Sequence, residues 1–396
     1  MVGARFWRGE FFKIMRAHNE KRLVVARLGL SAVAAVAVGG MLGGVLSPAP
    51  AWAQMMGEAA IRTAVPGDRT AEVPTPDMKD VLNRLAELHP KPLPKLTPRQ
   101  ARQQPSAADA AMAELKRRHK PFPEIPEPVG SVQDMDLPTK MGPVHVRVFK
   151  PKGMGKEPMP VIMYFHGGGF VIASVATYDS SCRAMTNATG AIVVAVAYRY
   201  APEHRLPAAH EDCYAATQYV MNNAASMGGN PAKVAVLGES AGGNLATDMC
   251  IMARDRGGKM PIHQALVYPY VDLSAQGLNA PSMIENRNAA PLNRAAVAWF
   301  NKWALPSRAF GRNPLASPLY ANVHGLPPAT IVLAEIDPLR SQGAQYARKL
   351  MNAGVPTKVA LYTGVTHEFF GMGAIVPKAK QANDFVAGEL KRAFNR

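Results

Sequence analysis

Six short apolar runs, at 161–165, 191–197, 234–237, 265–268, 330–334 and 358–362, constrain the fold more than any other feature of this 396-residue chain. A strand with one wet face alternates apolar and polar residues, whereas a strand apolar throughout is covered on both sides. These runs do not alternate, and helical patterns separate them. They therefore call for an α/β fold, a mostly parallel sheet flanked by helices. Before them, the stretch 144–149 does alternate and reads as an edge strand or hairpin. The longest interval, from Asp272 to Pro328, is roughly twice a normal crossover and reads as an insertion over the sheet. It carries Trp299, Phe300 and Trp303 at helical spacing, which read as packing.

Chemistry is concentrated where the third run ends. Gly238, Glu239, Ser240, Ala241 and Gly242 form a Gly-x-Ser-x-Gly pattern between that run and a helix-like segment. In this context the pattern makes a tight elbow that lifts the Ser240 hydroxyl above the end of the sheet. The serine backbone is strained there, and the flanking glycines let neighbouring elements close in.

A serine is a poor nucleophile until a base takes its proton, and that base needs an orienting acid. His367 stands just past the last apolar run, and Asp337 just past the run before it. With Ser240 they follow the chain order serine, acid, histidine that such an elbow requires. Glu335 and Asp272 are the competing acids, but Glu335 falls inside its strand and Asp272 follows the wrong one. On an extended backbone Glu368 would point away from His367. His145, His204 and His210 read as structural. The first run leads into His166 and three glycines, whose backbone can approach a ligand without Cβ interference. Gly167 and Gly168, joined by the N–H of Ala241, are the expected donors to an oxyanion.

Bulk composition narrows the alternatives. The net charge is +16, but the basic residues are dispersed, and residues 1–53 hold seven Lys/Arg against two Asp/Glu. No nucleic-acid-binding module is evident, so the excess reads as a solvated surface. Cys182, Cys213 and Cys250 lack metal-type spacing and read as buried thiols, with one incidental bridge as the alternative.

The N-terminus reads as a leader. A basic stretch to Arg27 precedes an uncharged apolar run at 28–46, and Ala51 and Ala53 occupy small-residue cleavage positions. The expectation is a secretory signal over 1–53, cleaved after Ala53 in an exported protein, with Met15 as an alternative start. The competing reading keeps 28–46 as an uncleaved membrane anchor. A linker at 54–75 follows, then helices near 76–89 and 107–118.

The ordered set of motifs resembles the hormone-sensitive-lipase family of α/β hydrolases, the bacterial type IV esterases. The matching pieces are His-Gly-Gly-Gly-Phe at 166–170, Tyr-Arg-Tyr-Ala-Pro-Glu at 198–203 and Leu-Pro-Ala-Ala at 206–209. They continue with Gly-Glu-Ser-Ala-Gly-Gly-Asn-Leu at 238–245, Ser-Pro-Leu at 317–319 and Leu-Pro-Pro at 326–328. Asp-Pro-Leu at 337–339 and His-Glu-Phe at 367–369 complete the set. The resemblance implies an α/β-hydrolase catalytic domain over 126–396, with a helical cap from 76–125 and an insertion at about 273–316. It implies Ser240 as nucleophile, His367 as base, Asp337 as its acid, and Gly167, Gly168 and Ala241 as the oxyanion hole. The implied activity is hydrolysis of small-molecule esters of short to medium acyl length, with no metal or cofactor. Amide hydrolysis or carbohydrate deacetylation by the same triad remains open, as does a non-catalytic ligand receptor on the same fold. Two positions depart from the family: Glu239, where Asp or Thr is commoner, and Ser341, where an acidic residue is frequent. Glu239 keeps an acceptor but shifts the hydrogen bonds around it.

Overall fold

A computed structural model describes residues 73–118, 126–153 and 157–395. The expected leader over 1–53, most of the expected linker at 54–75 and the end of the expected first cap segment lie outside the described residues. The strands are β1 (Ser131–Thr139), β2 (Gly142–Lys150), β3 (Met159–Phe165), β4 (Ile192–Val196), β5 (Gly229–Glu239), β6 (Gln264–Val267), β7 (Ala329–Ile336) and β8 (Thr357–Thr366). They form one sheet in the order β1-β2-β4-β3-β5-β6-β7-β8. β1 and β2 make the expected antiparallel hairpin, with Ser131 opposite Lys150, and β2 pairs antiparallel with β4. The remaining pairs are parallel.

Why the central runs are apolar without alternation is visible in their packing. Val161, Met163 and Phe165 of β3 feed one buried cluster, while Ile162 and Tyr164 feed another on the opposite face. In β5, Val234 and Val236 divide from Ala235 and Leu237 in the same way. Helices cover both sides, so neither set of side chains can be polar.

Ten helices are described: α1 (Pro76–Glu87), α2 (Pro98–Ala101), α3 (Ala107–Arg118), α4 (Asp179–Thr189), α5 (Ala208–Asn223), α6 (Ala241–Asp255), α7 (Pro281–Glu285), α8 (Arg294–Ala304), α9 (Arg340–Asn352) and α10 (Pro377–Phe394). The first cluster takes in α5, α6 and α9 through Val220, Leu245 and Tyr346. The second takes in α4 and α10 through Met185 and Leu390.

The N-terminal helices join that second layer. Met78, Val81 and Leu85 of α1 and Ala110 and Leu115 of α3 are buried in it. Between the two helices, the buried carboxylate of Glu114 pairs with Arg84, Arg117 and Arg118, and Arg118 reaches on to Asp77 and Asp80. Three guanidinium groups hold the Glu114 carboxyl down at about 2. The connector between these helices meets the insertion: Trp299 of α8 donates through Nε1 to Leu96 O at 3.1 Å. Trp299 and Phe300 are buried, in keeping with their reading as packing. Cys182, Cys213 and Cys250 are free, buried thiols. Among the described residues no helix is long and apolar enough to cross a membrane.

Candidate active site

Ser240 occupies the turn from β5 into α6 with φ 58° and ψ −117°, a backbone state that side chains rarely adopt. Close packing enforces it. A Cβ on Gly238 would lie 2.0 Å from Gly242 O, and one on Gly242 would lie 1.9 Å from Phe165 O. Backbone bonds pin the elbow to the end of β6 and the loop beyond it: Ser240 N donates to Val267 O at 2.9 Å, and Tyr270 N donates to Ser240 O at 3.0 Å.

The other two expected residues converge on it. His367 follows β8, and its Nε2 lies 2.9 Å from Ser240 Oγ. Its Nδ1 lies 2.8 Å from Asp337 Oδ2 in the loop after β7. A carboxylate only accepts, so Nδ1 carries the proton and Nε2 is left as the acceptor for the serine hydroxyl. Asp337 is fully buried, and its other oxygen accepts from Leu339 N at 2.8 Å. Burial pulls the His367 imidazole down, but Asp337, with Glu368 and Glu239 behind it, outweighs this and leaves it raised. The competing acids do other work: Glu335 accepts from Gly364 N within the sheet, and Asp272 accepts from Ser274 N.

The glycine run after β3 lies against the elbow, where a Cβ on Gly167 would stand 3.1 Å from Glu239 O. Gly168 and Gly169 have φ of 97° and 58°, and Gly168 O accepts from Val171 N and Ile172 N. The N–H groups of Gly167, Gly168 and Ala241 have no acceptor among the described residues. His166 braces the loop, with Nδ1 2.8 Å from Gly167 O and its ring stacked on Tyr198 at 4.3 Å. Burial pushes His166 down to about 4, so it is neutral at ordinary pH.

Sequence reasoning noted Glu239 and Glu368 but missed the tyrosines that hold them beside Ser240 and His367. Glu239 is buried and accepts from the hydroxyls of Tyr164 and Tyr268, while the Tyr268 ring lies 4.5 Å from that of His367. Burial raises the Glu239 carboxyl to about 7, with the charge of Glu368 adding to it. Glu368 is a correction. Its backbone is left-handed, φ 71°, not extended, so the side chain turns back and Oε1 comes within 3.8 Å of His367 Nε2. Tyr178 Oη donates to both oxygens of Glu368, at 2.8 and 2.7 Å. Adjacency to His367 was the one signal for Glu368, and none marked Tyr178.

Among the described residues no cluster of His, Cys, Asp or Glu is arranged to hold a metal ion. The geometry joins a hydroxyl on a strained turn, an imidazole held in one tautomer, and a set of free backbone donors.

Known proteins share this architecture. A family model described as alpha/beta hydrolase fold matches residues 162–371. The carboxylesterase NlhH of Mycobacterium tuberculosis is 38% identical over 256 residues, covering 64% of this chain and 79% of its own. The esterase LipI of the same organism is 37% identical over 280 residues, covering 70% of this chain and 87% of its own. The solved structure of a hyperthermophilic esterase from Pyrobaculum calidifontis superposes with a TM-score of 0.73 at 35% identity, covering 81% of this chain and 98% of that one.

Proposed function

The chain belongs to the hormone-sensitive-lipase family of α/β hydrolases, and on that basis we propose that it is a carboxylic-ester hydrolase working through an acyl-enzyme on Ser240. The observation that carries the reading is the chain of hydrogen bonds from Ser240 Oγ through His367 to Asp337, at 2.9 and 2.8 Å. His367 takes the hydroxyl proton as Oγ attacks the ester carbonyl, and Asp337 holds the imidazole and stabilises its charged form. The free N–H groups of Gly167, Gly168 and Ala241 receive the oxyanion of the tetrahedral intermediate. His367 then hands its proton to the departing alcohol. Water, deprotonated by the same imidazole, clears the acyl group.

Esterase activity named for the relatives supports catalysis over a receptor role, and short to medium acyl esters are the substrate class proposed. The test is hydrolysis of p-nitrophenyl esters of graded acyl length by the full chain beside Ser240→Ala. Turnover by the parent alone supports the assignment, and the length profile measures the acyl pocket. Equal turnover by the variant would overturn it. The basic and apolar N-terminal pattern supports export of the chain. N-terminal sequencing of the mature protein checks this, a start at Gln54 being the expected result.

A further inference from the structure

Glu368 takes no part in the scheme above, yet its placement is costly and specific. A left-handed backbone is rare outside glycine and persists where the surroundings enforce it. At Glu368 it brings the carboxylate to Nε2 of His367, the nitrogen that faces Ser240, and not to Nδ1, which faces Asp337. Tyr178 fixes it there, and this hydroxyl also lies against the oxyanion loop: a Cβ on Gly167 would stand 2.3 Å from it. The Glu368 side chain is 26% exposed, whereas that of Asp337 is fully buried. One carboxylate is sealed behind the imidazole; the other opens beside its working nitrogen.

We propose that Glu368 positions the water that removes the acyl group from Ser240, an inference that rests on the acyl-enzyme reading above. The leaving alcohol departs past Nε2, so the attacking water enters at the same place. A water roughly 2.8 Å from both atoms fits the 3.8 Å between His367 Nε2 and Glu368 Oε1, and can aim one O–H at each. Its oxygen is then presented to the acyl carbon. On attack, the new C–O bond forms as the proton aimed at Nε2 passes to His367. The C–Oγ bond then breaks, His367 returns its proton to Ser240 Oγ, and the product leaves as the carboxylic acid. Glu368 accepts a hydrogen bond throughout and gains no proton.

Rapid-mixing kinetics with p-nitrophenyl acetate separate the two halves of the reaction, the acetylated Ser240 being trapped by acid quench and weighed by mass spectrometry. For Glu368→Ala in the full chain, the expected result is acylation within about threefold of the parent and deacylation slower by about tenfold, the scale of one charge-assisted hydrogen bond. The acetyl adduct then accumulates, and a full burst proves the fold intact. Glu368→Gln, which keeps an acceptor oxygen, recovers part of the deacylation rate. Equal slowing of both steps would mean that Glu368 acts through the imidazole charge, and unchanged steps that it does nothing; either overturns the inference. A parent that never acylates Ser240 removes the acyl-enzyme reading and this inference with it, whereas acylation with unaltered deacylation removes the inference alone.

Discussion

Two histidine–carboxylate pairs are buried among the described residues, and only one stands at the candidate active site. His367 and Asp337 meet at 2.8 Å, and His210 of α5 and Asp248 of α6 meet at 3.0 Å. In the first pair every hydrogen-bonding atom has a use: Asp337 accepts from His367 and Leu339, and the free imidazole nitrogen faces Ser240. In the second, Nε2 of His210 faces both Asp248 and Asn244, whose amide is fixed by donating to Tyr270 O and Ala316 O. His210 Nδ1 and Asp248 Oδ1 are left without partners among the described residues. The chemistry of the pairs is the same. The difference is that the His367 ring emerges beyond a strand end and meets the Ser240 hydroxyl, while His210 and Asp248 lock two helices together in a core with no solvent access. A buried histidine–carboxylate pair is therefore a fastening unless its second nitrogen is presented to a reacting atom.

This contrast can be tested, beginning with the largest effect. Ser240→Ala should reduce kcat roughly a millionfold while circular dichroism and melting temperature stay close to the parent's. Asp337→Asn should cost roughly ten-thousandfold in kcat, because the neutral amide lets the imidazole adopt the wrong tautomer. The matching change in the other pair should reverse the pattern. Asp248→Ala should lower unfolding free energy by about 3 kcal/mol in urea titrations, with kcat/KM moving less than about threefold. A loss of activity from that variant exceeding its loss of folded protein would break the distinction.

Smaller effects lie in the pH dependence. Burial raises the Asp248 carboxyl from 3.8 to about 6. The native state therefore holds this proton more tightly than the unfolded chain. Its contribution is complete below 3.8 and is lost as pH climbs through about 6. Asp248→Asn cannot ionise, so its urea midpoint should fall less than the parent's across that window. In the proposed mechanism His367 must be neutral to act as base, so activity should fall as pH drops through its raised value. Glu368→Gln removes one of the negative charges that raise it, after Asp337. The acid limb of kcat/KM should move to lower pH, the smallest shift expected here.

Much of the site was legible without coordinates because it is written in short segments. The elbow at Ser240 needs small residues on both sides within a few positions, and the glycine run at 167–169 marks a backbone turn by composition alone. His367 and Asp337 could be placed because strand ends are local, and the strands were visible as apolar runs. The reading failed at Glu368, where an extended backbone was assumed and a left-handed turn stands. One dihedral reversed the direction of the side chain.

The sequence by itself determined the parallel sheet, the serine elbow and the order of the three residues that meet there, since each follows from periodicity or from steric demands within a few residues. Only the tertiary structure decided that Tyr164 and Tyr268 share the carboxylate of Glu239, that Tyr178 holds Glu368, and that His210 pairs with Asp248. Those partners stand 75, 29, 190 and 38 positions apart. No local pattern records such contacts; packing two helical layers onto one sheet brings them together, and burial then makes the hydrogen bonds obligatory.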